Sequence, residues 1–210
     1  MEEIMSKTKK LVLTSVLTAI IVLMGFTPLG YLKTPFVEVT FLMIPVAIGA
    51  ILLGPNYGAY FGFVFGLTSF LQCFGYSAFG AAILSLSVIG TIICTIVART
   101  LMGYLAGHIY LALSKTKLNQ IVSFLITSVS AALLNTILFT GCFLLFFRNK
   151  NFPVFATDMA QKSVVEIIAW LVGINGLVEI LVCGVISTPL AKALVHILPK
   201  FNNKRKEKNS

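Results

Sequence analysis

The stretch IVSFLITSVSAALLNTILFTGCFLLFF, Ile121–Phe147, contains no charged side chain. An α-helix needs ~20 apolar residues to cross the hydrocarbon core of a bilayer, so this run is long enough to span one. A buried core helix of a soluble protein is rarely apolar for so long, because one of its faces meets water. The run therefore predicts a membrane helix, and the rest of the chain repeats the pattern. Further apolar runs occupy Leu11–Pro28, Phe36–Leu53 (with Pro45 inside), Tyr57–Gln72, Thr91–Leu113 and Val164–Leu198. The segment between Cys73 and Gly90 reads as an outer loop or short re-entrant piece, since Ala81–Leu113 is too long for one span and too short for two. Gly54-Pro55-Asn56 is a tight turn signal between the second and third spans.

The composition agrees. Of 210 residues, 58% are hydrophobic and 11% charged, against roughly 25% charged in soluble domains. The mean hydropathy is +0.97. Lipid must be the solvent for most of the surface. Six spans use ~120 residues, which leaves short loops and two tails. The expected fold is an all-α integral membrane bundle of about six transmembrane helices: a tail at 1–10, a membrane domain at 11–198, and a basic tail at 199–210. No stretch is left for a nucleotide-binding domain. The first apolar run reaches Gly30 without a clear small-x-small cleavage site, so it reads as an uncleaved first span.

Charge gives the bundle a direction. With both tails on one side, that side holds Lys7, Lys9, Lys10, Lys115, Lys117, Lys192, Lys200, Lys204, Arg205, Lys206 and Lys208, and the other holds Lys33, Arg148, Lys150 and Lys162. Cytoplasmic segments carry the excess of Lys and Arg, which puts both termini in the cytoplasm. The basic tail beside a span is read as touching anionic lipid, not nucleic acid.

Three features carry candidate chemistry. Gly54, Gly58, Gly62 and Gly66 recur every fourth residue along the third span, and Ser15 and Ala19 form a weaker small pair on the first. Small faces let helices approach closely, either inside the chain or against another subunit. Arg99, Asn135, Asn175 and Glu179 are polar groups at membrane depth, where such residues need a partner or a water-filled cavity. A rise of ~1.5 Å per residue places all four at similar depth, biased toward the outer half. They read either as an outward-facing binding cavity or as a buried Arg99–Glu179 pair with two interhelical amides. Tyr31, Lys33 and Gln72 stand among aromatics in the outer loops, where they would suit the rim of a small-ligand site or an interfacial belt.

Enzyme signatures are missing: no HExxH, GxSxG or Walker A occurs. The cysteines Cys73, Cys94, Cys142 and Cys183 show neither CxxC nor metal-ligand spacing. No catalytic residue, metal site or cofactor is expected. A self-sufficient oligomeric secondary transporter or channel is the competing reading.

Several local patterns, taken in order, resemble a known family. They are Pro45-Val46-Ala47-Ile48-Gly49-Ala50, Leu53-Gly54-Pro55, the run from Gly58 through Phe65-Gly66-Leu67-Thr68-Ser69-Phe70, Ala98-Arg99-Thr100-Leu101-Met102-Gly103, Leu134-Asn135-Thr136, and Asn175-Gly176-Leu177-Val178-Glu179. Together they resemble the substrate-binding S components of energy-coupling factor (ECF) transporters, over about Leu11–Leu198. The chain departs from the family pattern at Ala98, where a proline is common, and at Ser15, where alanine is frequent. The resemblance implies a prokaryotic cell-membrane subunit that captures a vitamin from outside, docks on a T protein carrying two ABC-type ATPases, and topples to release its solute. ATP would be used by the partners. Small faces on the first three helices would dock the T protein. Local patterns are nearest to pantothenate-type members, with riboflavin, folate and other vitamins open. A cation such as Arg99 or Lys33 would suit the pantothenate carboxylate.

Overall fold

The computed structural model describes residues 7–33, 38–148 and 164–197. Of the expected tails at 1–10 and 199–210, only residues 7–10 are described, and the second tail lies outside the described residues. Helix α1 spans Lys7–Phe26, strands β1 and β2 span Tyr31–Lys33 and Glu38–Thr40, and helices α2 and α3 span Met43–Leu53 and Pro55–Gln72. Helix α4 spans Ala78–Leu86. Helix α5, Val88–Ile92, continues through a π turn at Ile93–Val97 into α6, Ala98–Ser114. Helices α7 and α8 span Gln120–Phe147 and Val164–Ile197. Lys7–Phe26, Val88–Ser114 and Gln120–Phe147 have the length and apolarity of membrane spans.

The second expected span is corrected. Residues 38–40 form a strand, and α2 begins only at Met43. At ~1.5 Å per residue its 11 residues cover roughly half of a ~30 Å hydrocarbon core. Every residue from Met43 to Leu52 is buried, and α2 touches α1, α3, α6, α7 and α8. Its all-round apolarity reflects burial within protein, which a hydropathy pattern does not distinguish from burial in lipid. Pro45 lies in the first turn, where no intrahelical N–H bond is lost. By contrast, α1 buries only Leu17, Ile21 and Gly25 and exposes Leu11, Val12, Val16 and Leu23, as a peripheral helix facing lipid does.

The all-α expectation gains one small hairpin. β1 and β2 pair antiparallel, with Tyr31 opposite Thr40 and Lys33 opposite Glu38. The Phe41 amide donates to the Gly30 carbonyl at 2.9 Å and closes its base.

The segment expected as loop or re-entrant piece holds a helix. Ser77 caps α4 by accepting from the Gly80 amide at 3.0 Å, and Ser87 caps α5 in the same way from Gly90 at 3.1 Å. Ser87 is extended, so the chain breaks there and the fourth span starts at Val88, earlier than the expected Thr91. Two serine caps ten residues apart are a legible helix–break–helix signal.

The main internal seam is α3 against α6. A Cβ on Gly58, Gly62 or Gly66 would run into the backbone at Gly103, Arg99 and Thr95 respectively, and one on Gly103 would meet Gly58. Glycine here permits backbone contact that no larger residue allows. Gly54, with φ of 99°, sits in the left-handed region that favours glycine, and Pro55 follows as the first residue of α3.

Candidate ligand-binding cavity

A cavity of about 100 Å³ opens where the hairpin, the end of α3, α4, the π turn and the upper parts of α7 and α8 meet. The hairpin contributes Tyr31 and Thr40, the end of α3 Ser69, Gln72 and Cys73, and the α4 region Ser77 and Phe79. Thr95 and Arg99 come from the π turn and α6, Asn135, Thr136, Phe139 and Thr140 from α7, and Gly176 and Glu179 from α8. The lining mixes hydroxyls, amides and one charge of each sign with aromatic rings, the composition of a small polar-ligand site.

Arg99 dominates the electrostatics. Its guanidinium carbon lies 5.0 Å from the centroid of Phe65 and 5.3 Å from that of Phe139, so two ring faces hold the cation. Nη1 donates to the Cys94 carbonyl at 2.5 Å, in the π turn. Nε is buried and has no hydrogen-bond partner. Among the described residues Arg99 makes no ion pair. Glu179 is close enough to interact with it electrostatically, but Glu179 Oε1 accepts from the Thr40 backbone amide at 3.0 Å. Asn135 and Thr136 line the same cavity wall beside the Glu179 carboxylate. The direct Arg99–Glu179 pair that the sequence allowed is thus not formed. The carboxylate takes a neutral donor, the Thr40 amide, and the guanidinium keeps donor capacity, which costs free energy in a buried site unless an acceptor arrives.

Secondary contacts set the walls. The Tyr31 hydroxyl and Ser69 Oγ hydrogen-bond at 3.0 Å, joining the hairpin to α3. Gln72 Nε2 donates to the Gly25 carbonyl of α1, so its amide nitrogen serves packing while the residue still lines the cavity.

Five residues expected from sequence meet here: Tyr31, Gln72, Arg99, Asn135 and Glu179. Lys33 lies on β1, two residues beyond Tyr31, and Asn175 lies on α8 beside the lining residue Gly176; the side chains of both are outside the described residues. Sequence reasoning missed Thr95, Phe139 and Thr140, although Thr95 is four residues before Arg99 and Phe139 four after Asn135, the spacing of one helical face. Thr40 and Ser77 had no such signal, because they come from short elements whose packing is set by the whole bundle.

The small-residue positions divide. Ser15 and Ala19 are exposed on α1, and Gly54 is half-buried at the α2–α3 turn. Gly58, Gly62 and Gly66 are buried against α6, so that face is filled inside the chain.

Comparison with known proteins gives three findings. The family model described as "ECF transporter, substrate-specific component" matches residues 9–191. The pantothenate transporter PanT of Leuconostoc mesenteroides subsp. mesenteroides is 30% identical over 210 residues, covering 91% of this chain and 95% of the relative. The solved structure of ThiT from Listeria monocytogenes superposes with a TM-score of 0.60 at 20% identity, covering 90% of this chain and 96% of that one. At this identity the last finding speaks to the fold.

Proposed function

Since the chain belongs to the ECF transporter substrate-specific components, we propose that this cell-membrane subunit captures pantothenate from outside and hands it inward with partner proteins. The chain is the substrate-binding component of an importer and not an enzyme. The partners in this reading are a T protein and two ATPases, which use the ATP. The chain itself uses no cofactor.

Arg99 carries the choice of ligand. A guanidinium held between Phe65 and Phe139, with an unpartnered Nε and no ion pair among the described residues, is suited to a carboxylate. Pantothenate offers one carboxylate together with an amide and two hydroxyls. Asn135, Thr136, Thr95 and Thr140 supply donors and acceptors for such groups. The pantothenate transporter at 30% identity supports the same ligand.

The test is calorimetric titration of the purified chain with pantothenate, pantothenol and riboflavin. Pantothenol replaces the carboxylate by an alcohol and leaves the rest intact. Pantothenate should bind tightest. Equal binding of pantothenate and pantothenol would remove Arg99 as the ligand's anchor.

A further inference from the structure

Helix α7 turns one face to the ligand cavity and the adjoining face to a second space. Asn135 and Phe139 line the cavity. Leu133, Ile137, Gly141 and Leu144 recur at helical spacing beside them, and with Ile180 of α8 they line an apolar groove of about 360 Å³. Thr136, Thr140 and Gly176 line both spaces. Cavity and groove thus meet along a wall of two threonines and a glycine, and the glycine puts no side chain across it. A Cβ built on Gly141 meets no atom within 4 Å, so the groove is open there. Ile137, 63% exposed on a membrane-length helix, forms its lipid-side lip. An apolar cavity of ~150 Å³ stays dry and holds a benzene molecule, so this groove has room for an alkyl or aryl group.

We propose that the groove is the second half of the ligand site, and that the chain selects amphipathic carboxylates. The anion pairs with Arg99, and an apolar arm crosses the Thr136–Thr140–Gly176 wall to lie against Leu133, Ile137 and Ile180. This rests on the reading of Arg99 as the carboxylate's anchor. Pantothenate has the required polarity, with its carboxylate at one end and its two methyl groups toward the other. Arg99 holds the head and the groove grades the tail: each methylene buried there should tighten binding about three- to fourfold. A solute that is polar along its whole length gains nothing from the groove.

The experiment is calorimetric titration of the full chain in lipid nanodiscs, with the heats from empty nanodiscs subtracted. The probes are pantothenate and the N-butanoyl, N-hexanoyl and N-octanoyl derivatives of β-alanine, which keep the carboxylate half of pantothenate and replace the rest by a straight chain. N-octanoyl-3-aminopropanol has the same chain without the carboxylate. Affinity should rise about tenfold or more from butanoyl to octanoyl, and the alcohol should bind far more weakly than the matching acid. Gly141→Leu, which fills the groove, should flatten the rise, and Gly141→Ala should reduce it less. The proposal is overturned if affinity is the same along the series or if the rise persists in both variants. It is also overturned if the octanoyl alcohol binds as tightly as the acid, which would make the groove a seat for lipid acyl chains. Pantothenate binding beside a flat series overturns the groove alone. A rising series without pantothenate binding upholds the groove and overturns the choice of pantothenate.

Discussion

The Thr40 backbone amide donates to Glu179 Oε1 at 3.0 Å, which ties the end of the β1–β2 hairpin to α8. Both residues are buried and line the cavity. Glu179 therefore holds one edge of the site closed. Removing its side chain in Glu179→Ala leaves a buried N–H without an acceptor, at a cost of about 1–3 kcal/mol. Amide hydrogen exchange at Thr40 should accelerate in Glu179→Ala and much less in Glu179→Gln, which keeps an oxygen acceptor. Unchanged exchange in the alanine variant would mean the hairpin is held by other contacts.

Arg99 should govern recognition of the anion. A hydrogen bond to a charged group contributes about 1.5–3 kcal/mol, so Arg99→Met should weaken pantothenate binding by about ten- to a hundredfold. It should leave pantothenol nearly unaffected. Arg99→Lys should recover part of the loss, since it keeps the charge but not the planar fork between the Phe65 and Phe139 rings. Titration calorimetry of the variants against both ligands checks this.

The two kinds of helix glycine should behave oppositely. A methyl at Gly62 meets the Arg99 backbone, and overpacking of this sort costs about 1–3 kcal/mol. A methyl at Gly141 meets nothing within 4 Å, and alanine exceeds glycine in helix propensity by about 1 kcal/mol. Thermal unfolding of the detergent-purified chain should show a lower Tm for Gly62→Ala and an equal or higher one for Gly141→Ala.

Docking on a T protein, if it uses small faces, should depend on α1. Ser15 and Ala19 are exposed, whereas Gly58, Gly62 and Gly66 are covered by α6. Ala19→Trp should reduce co-purification with the T protein and ATPases while pantothenate binding by the isolated chain stays the same. Retained assembly would move the docking surface elsewhere.

The sequence was most readable where lipid or charge enforced a simple rule. The uncharged run Ile121–Phe147 became α7 with the same C-terminal end, and the polar groups Arg99, Asn135 and Glu179 converged on one cavity. It was least readable where burial in protein imitates burial in lipid. The buried α2 looked like a full span because hydropathy measures apolarity and not what covers it. The hairpin was invisible because its strands are three residues each. Opposite charges at similar depth suggested a direct pair, but depth does not fix direction: Arg99 faces Phe65 and Phe139 while Glu179 meets Thr40.

The most direct measurement is uptake of radiolabelled pantothenate by proteoliposomes holding this chain with and without a T protein and two ATPases. The account predicts binding but no accumulation by the chain alone, ATP-dependent accumulation by the full assembly, and its loss in Arg99→Met. Accumulation by the chain alone without ATP, or no accumulation by an assembly that forms and hydrolyses ATP, would contradict it.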